Sequence, residues 1–339
     1  MRYDDWGQRS PRWAGIRSRT TYVCGVPVHY LSADPAADAP AAAPTHMLMS
    51  TMIGSATNWL DLIPPLTGLG PVIAVDPPGT LAGHTASPTR RGPRAETNAR
   101  FLRAFARTLD LHDLVVHGWS MGGLVTVLFA DLAPERVTGL VLTAPTLPWR
   151  RTNTMEALAW HSVGRVAILV GVPVARMLLR LFGGRMVDVK RAAALDVDAF
   201  VGGRLDLAGG DPTRLSPELW AVWADESARA HPELLPGAVT AVASAMWAMF
   251  VDQRPTRDVL DRLDVPVLLL WGDADPLIDP PTLEGHARRP QWEANTIAGA
   301  GHLLPVELPD AYTTAVADWL PRRRREPDAC PSTDQQRPT

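Results

Sequence analysis

Three kinds of residue in one order could carry acyl-transfer chemistry here: a serine at 120, aspartates between 273 and 279, and a histidine at 302. Serine is a poor nucleophile at neutral pH. It needs a base to take its proton and a carboxylate to orient that base. Ser120 lies in Gly118-Trp119-Ser120-Met121-Gly122-Gly123, directly after the apolar run Leu114-Val115-Val116-His117. Behind it Met121, Leu124, Val125, Leu128, Phe129 and Leu132 recur at the spacing of a buried helix face. A bare G-x-S-x-G match arises readily by chance, and a glycine-rich turn can hold an idle serine. Strand, tight turn and helix together are informative, because that turn exposes a hydroxyl at a helix N-terminus, where free N–H groups favour developing negative charge.

The elements that must position the other two residues are legible downstream. Val265-Pro266-Val267-Leu268-Leu269-Leu270-Trp271 reads as a short buried strand running into Gly272-Asp273-Ala274-Asp275-Pro276-Leu277. Ala298-Gly299-Ala300-Gly301-His302 then sets a histidine in a glycine-lined loop ahead of the last helix. All three candidates fall at carboxyl ends of expected strands, where an open α/β sheet builds its sites.

On these motifs, and on the turn Asp76-Pro77-Pro78-Gly79 after the strand Val72-Ile73-Ala74-Val75, the chain resembles the α/β-hydrolase superfamily, serine-nucleophile type with a helical cap. The resemblance implies an α/β fold: a mostly parallel central sheet flanked by helices, with an inserted all-helical cap. It implies Ser120 as nucleophile, His302 as general base and then acid, and an orienting carboxylate. The family pattern Gly-x-x-Asp followed by Pro selects Asp275. Asp273 then reads as a turn residue and Asp279 as a helix cap. The strand end Leu142-Thr143-Ala144-Pro145 has no carboxylate to offer instead. The backbone N–H groups of Met52 and Met121 are implied as the oxyanion hole. There the chain departs from the family: the usual His-Gly is Ser50-Thr51, with a branched Cβ in place of glycine. One lost donor costs about 2.7–4 kcal/mol of transition-state stabilisation.

The expected organisation is a flexible N-terminal segment (1–19), a hydrolase core (20–146 and 256–320), a helical cap (147–255) and a disordered tail (321–339). Helical periodicity marks 155–164, 166–182, 217–229 and 236–250, with breaks at Gly202-Gly203 and Gly209-Gly210-Asp211-Pro212. Trp119, Trp160, Trp223 and Trp247 are candidate walls of a substrate pocket. The stretch Ala167 to Leu179 is apolar over most of its circumference. Broken by Gly171 and Pro173, it reads as too short for a membrane span and fits either the core of the cap or a pocket lining.

Composition bounds the rest. Of 339 residues, 46% are hydrophobic and 20% charged, as in an ordinary globular protein. A net charge of −3 gives no reason to expect nucleic acid. Cys24 and Cys330 stand at opposite ends, and no metal or nucleotide motif occurs, so neither a metal nor a cofactor is expected. The N-terminus has five arginines and no apolar core, which reads as cytoplasmic rather than secreted. The expected activity is hydrolysis of a small to medium hydrophobic carboxylic ester, with a small-molecule substrate as the partner and oligomeric state open. Thioester cleavage, C–C bond cleavage and perhydrolysis use the same triad. A non-catalytic, receptor-like binding protein is the alternative of another class, and Ser50-Thr51 is its best support.

Overall fold

The computed structural model describes residues 3–52, 54–79, 85, 93–151, 153–194, 208–229 and 231–324. Eight strands form one sheet: β1 (Arg17–Val23), β2 (Val26–Ala33), β3 (Thr45–Met49), β4 (Val72–Val75), β5 (Leu114–Trp119), β6 (Val137–Thr143), β7 (Val267–Gly272) and β8 (Trp292–Ile297). Their order is β1-β2-β4-β3-β5-β6-β7-β8, with β1–β2 and β2–β4 antiparallel and every later pair parallel. The interior strands β5 and β7 are buried along their whole length, which is why they read as unbroken apolar runs rather than alternating ones. β7 begins at Val267, two residues later than its apolar run. Pro266 has no N–H for the ladder, and only its carbonyl takes part, accepting from Leu140 N–H at 2.9 Å.

Helices α1 (Ala95–Thr108) and α2 (Met121–Leu132) follow β4 and β5. The six-residue α3 (Thr154–Ala159) opens the cap and runs through a π-helical turn at Trp160–Gly164 into α4 (Arg165–Ala194). The cap continues with α5 (Pro217–Ala228) and α6 (Leu235–Met246), the latter ending in a second π-helical turn at Trp247–Val251. The core resumes with α7 (Arg254–Arg262), α8 (Pro280–His286) after β7, and α9 (Pro309–Trp319). The Gly202-Gly203 break lies outside the described residues.

Three expectations need correction. The N-terminal segment is packed rather than flexible: Trp6, Trp13 and Ile16 are buried in the core cluster that also holds Trp59 and Trp319. Its polarity misleads because two tryptophans anchor it. Trp13 Nε1 donates to Asp61 Oδ1 at 2.8 Å, and Ser216 Oγ of the cap donates to the other oxygen at 2.6 Å. Likewise Arg323 is no solvated tail residue. It is buried and donates to the Thr138 carbonyl at 3.1 Å, while residues 325–339 lie outside the described set.

The apolar cap segment is the third. Gly171 and Pro173 do not break it, and the helical stretch Thr154–Gly184 runs for 31 residues, long and apolar enough to cross a membrane by length and composition. Nor is it core: of its most apolar window only 6% is buried. One narrow stripe, Ile168, Val172, Ala175 and Leu179, is half-buried, while Gly183 is fully buried, and this side meets α6.

Two histidines of adjacent strands, His46 of β3 and His117 of β5, form a buried series with Tyr312. His46 Nδ1 lies 2.9 Å from His117 Nε2, and His117 Nδ1 lies 2.9 Å from the Tyr312 hydroxyl. Burial pulls His46 down to about 4 and holds His117 well below its usual value; His286, buried against the Pro148 carbonyl, also falls to about 4. Unfolded histidines titrate near pH 6.5. Below that value the unfolded chain binds protons that the folded chain refuses, so stability is intact above about pH 6.5 and drops as pH falls towards 4. Each histidine held neutral contributes roughly 1.4 kcal/mol per pH unit in that window. The melting temperature should therefore fall steeply from pH 6.5 to 4.5, and His286→Asn should make that fall shallower. Equal slopes for the two proteins would contradict this account.

Candidate active site

Ser120 stands between β5 and α2 with φ 55° and ψ −122°. That conformation costs a non-glycine residue about 1–3 kcal/mol, and the surroundings must over-determine it. They do so by close approach. A Cβ on Gly118 would sit 2.7 Å from Gly123 Cα, and one on Gly122 would sit 2.3 Å from the Ser50 carbonyl oxygen. Both contacts are with backbone, which cannot swing aside. The glycines therefore let α2 start hard against β5 and the end of β3, with the serine at the apex.

The hydrogen bonds then run in series. Ser120 Oγ lies 3.0 Å from His302 Nε2, and His302 Nδ1 lies 2.8 Å from Asp275 Oδ2. With Nδ1–H donated to the carboxylate, Nε2 keeps its lone pair for the serine proton. The second oxygen of Asp275 accepts the Leu277 N–H at 2.8 Å, which fixes the carboxylate in its turn. Asp273 is exposed and accepts the Gly299 N–H, while Asp279 caps α8 by accepting from Thr282. Neither touches His302. Asp76 is buried and bonded to Ala56 N–H and to His29, so it holds the loop after β3 rather than joining the series.

Met121 N–H is the first of α2 and has no acceptor within the helix. Met52 is buried in the loop after β3, and Ser50, also buried, accepts from Asn58 Nδ2 at 2.8 Å. That bond ties the Ser50-Thr51 loop to the following turn.

A pocket of about 170 Å³ opens on Ser120 and His302. Its walls are Pro145, Leu147 and Trp149 after β6, Met246 and Met249 of the cap, and Leu277, Ile278 and Leu283 after β7. None of the four tryptophans expected as walls lines it. Trp119 points away from Ser120: its ring meets Trp59 edge-on, and its Nε1 donates to the His302 carbonyl at 2.8 Å. Trp223 packs on Trp220 in the core, Trp160 stacks on Phe250, and Trp247 lies under the Arg165 guanidinium. Successive strand residues face opposite sides, so the neighbour of a pocket residue belongs to the far side.

Adjoining this pocket through Thr282 is a larger groove of about 960 Å³. Arg150, Arg151, Arg254, Arg257 and Arg289 line it together with His161, against Asp252, Asp258 and Asp261. Burial, then Arg151 and Arg289, lower Arg257 from the usual arginine value.

Sequence reasoning missed the groups that hold His302. Its N–H donates to the Ala208 carbonyl at 2.8 Å, from a segment in the middle of the cap sequence. Glu307, buried, accepts Gly301 N–H at 3.0 Å and Asp211 N–H at 3.4 Å. Burial pushes its carboxyl up, against the pull of those N–H groups. A lone acid in Leu304-Pro305-Val306-Glu307 carries no signal beyond being a charge in an apolar run. Removing it in Glu307→Ala strands both N–H groups, at about 1–3 kcal/mol each where buried, and frees the histidine loop. Lower stability and a kcat loss without a matching KM change are expected. Glu307→Gln keeps an acceptor oxygen and should retain most of both, as melting curves and steady-state kinetics would show. A kcat for Glu307→Ala equal to the parent would refute the positioning role.

The described side chains hold no group of three or more metal-ligating residues. The profile of the serine aminopeptidase S33 family (Hydrolase_4) matches residues 81–309. Over 230 residues the chain is 28% identical to pimeloyl-[acyl-carrier protein] methyl ester esterase of Neisseria meningitidis, covering 68% of this chain and 61% of that protein. Over 91 residues, 26% of this chain and 31% of the relative, it is 40% identical to a 2-hydroxy-6-oxononadienedioate/2-hydroxy-6-oxononatrienedioate hydrolase of Escherichia coli. Among solved structures it superposes on an esterase from Thermogutta terrifontis with a TM-score of 0.60, at 24% identity over 92% of this chain and all of the other.

Proposed function

The chain belongs to the serine aminopeptidase S33 family of α/β-hydrolases, and from that premise we propose that it is a serine hydrolase acting on small hydrophobic carboxylic esters. The observation that carries the reading is the Ser120–His302–Asp275 series opening into an apolar pocket. Ser120 Oγ attacks the ester carbonyl as His302 Nε2 takes its proton. The oxyanion is received by Met121 N–H, with Met52 N–H as the second donor. Collapse expels the alcohol, which leaves with the proton from His302, and water then releases the acid by the same steps.

Pocket size supports a small acyl group, since 170 Å³ falls below the about 300–1,000 Å³ typical of sites for drug-sized ligands. An aminopeptidase would need a carboxylate for the substrate's free amine. Asp279 lines the pocket but is committed to capping α8 through Thr282, and the walls Pro145, Leu147, Met246, Met249, Leu277 and Ile278 are apolar, which favours an uncharged ester. The methyl ester esterase among the relatives is consistent with this preference.

A fluorophosphonate probe should modify Ser120 within minutes, and short p-nitrophenyl esters should be cleaved with higher kcat/KM than long ones. Thioesters and a C–C-cleavable diketone, run beside them, should turn over more slowly. An unlabelled Ser120 in folded protein would instead mark a binding protein.

A further inference from the structure

The outer face of the cap helix is the largest feature that the ester chemistry leaves unused. Val166, Leu169, Val170, Val174, Met177 and Leu181 are each 46–67% exposed, and Met155, Val163, Leu178 and Phe182 extend the same face. A soluble monomer rarely shows water a continuous apolar surface of this extent. We propose that this face is a membrane-docking surface: the cap lies in the plane of an anionic phospholipid leaflet, with the outer side of α4 sunk among the acyl chains.

Three observations favour a lipid surface over other occupants. First comes charge. Between residues 157 and 187 there is no aspartate or glutamate, while Arg165, Arg176 and Arg180 fall within that span. An apolar face with arginines and no acids suits anionic headgroups. A second copy of the chain would bring the same arginines against them.

Second, the arginine-lined groove reaches this helix. His161, on the same helical stretch, forms part of its wall, and Arg150, Arg151 and Arg254 are exposed there. Phosphate groups at the membrane surface would find cations at that end of the helix.

Third, the anchoring of the helix fixes its attitude. Its half-buried stripe lies on α6, and Gly183 is packed near Leu235 and Pro232. A helix held along one side by its own domain lies flat on a bilayer and does not thread through it. Pocket residues Met246 and Met249 end that same α6 and the turn after it, so docking would bring the serine pocket close to lipid-dissolved esters.

The test is vesicle flotation with the whole chain. Protein should float with phosphatidylcholine vesicles containing phosphatidylglycerol, and less with phosphatidylcholine alone. Val170→Glu with Leu178→Glu should weaken binding to both by ~100-fold, roughly tenfold for each side chain lost from the apolar phase. The combined Arg150→Ser, Arg151→Ser and Arg254→Ser variant should lose only the preference for the anionic vesicles. Circular dichroism melting, which reads folding without reference to catalysis, should match the parent in both. Failure of the parent to float with either vesicle would overturn the proposal. So would a parent dimer in analytical ultracentrifugation that the glutamate pair dissociates, since the face would then be covered by a second copy.

Discussion

Ser120→Ala should lower kcat/KM for a short p-nitrophenyl ester by about 10⁴–10⁶-fold without unfolding the protein. The loss is large because attack by Oγ is the only covalent route that the site offers, and His302 has nothing to activate once the hydroxyl is gone. A residual rate of about 10³–10⁴ over water should survive from binding and the oxyanion donors. Because serine and histidine act as one unit, Ser120→Ala combined with His302→Ala should be little worse than either alone. Multiplying losses would mean two separate machines. The backbone adds an independent check. At φ 55° and ψ −122°, Ser120→Gly should be equally inactive yet more stable than the parent, since glycine takes that conformation without strain. A lower melting temperature for Ser120→Gly would contradict the strain reading.

Asp275→Asn is expected to cost about 10⁴-fold in kcat, with a correctly folded protein. The carboxylate accepts from His302 Nδ1–H at 2.8 Å and from Leu277 N–H at 2.8 Å, so both its oxygens face donors. An amide nitrogen directed at Nδ1 would donate instead, driving the imidazole proton onto Nε2. The histidine would then present a hydrogen to the serine where a lone pair is required. Volume and packing are unchanged, so the loss reports the tautomer. Asp273→Asn should cost less than about tenfold, because that side chain braces Gly299 and never meets the imidazole. Asp279→Asn should leave kcat unchanged, since asparagine caps a helix about as well as aspartate. An active Asp275→Asn beside an inactive Asp273→Asn would reassign the acid.

What the sequence made legible was local. The serine turn, α2 and β7 are short-range patterns of apolar spacing and glycine, and the structure reproduces them within a residue or two. The choice of Asp275 rested on a four-residue motif, and that carboxylate is the one that meets His302. Illegible features depended on partners far along the chain. Trp119 reaches the carbonyl of a residue 183 positions away, and no spacing rule announces such a bond. The N-terminal tryptophans sit in a polar context whose anchors, Asp61 and Ser216, lie in two other parts of the chain. The cap helix misleads for another reason. A helix apolar around most of its circumference has the same sequence signature whether protein or lipid surrounds it.

The segment 208–211, in the middle of the cap sequence, carries a consequence for how such a protein can change over time. Ala208 holds the histidine loop by its carbonyl, a Cβ on Gly209 would sit 2.1 Å from the Ala274 carbonyl, and Asp211 shares an acceptor with Gly301. Residues 208–211 are thus wedged between the acid loop and the base loop, with cap helices before and after them in the chain. Exchanging the whole insertion with that of another hydrolase would replace the wedge as well as the roof. Viable exchanges between relatives should therefore keep residues 208–211 with the loops they hold and swap cap helices on one side of them or the other. Selection for new substrates would then act on the cap helices to either side, while residues 208–211 travel as a hereditary unit with the loops they hold.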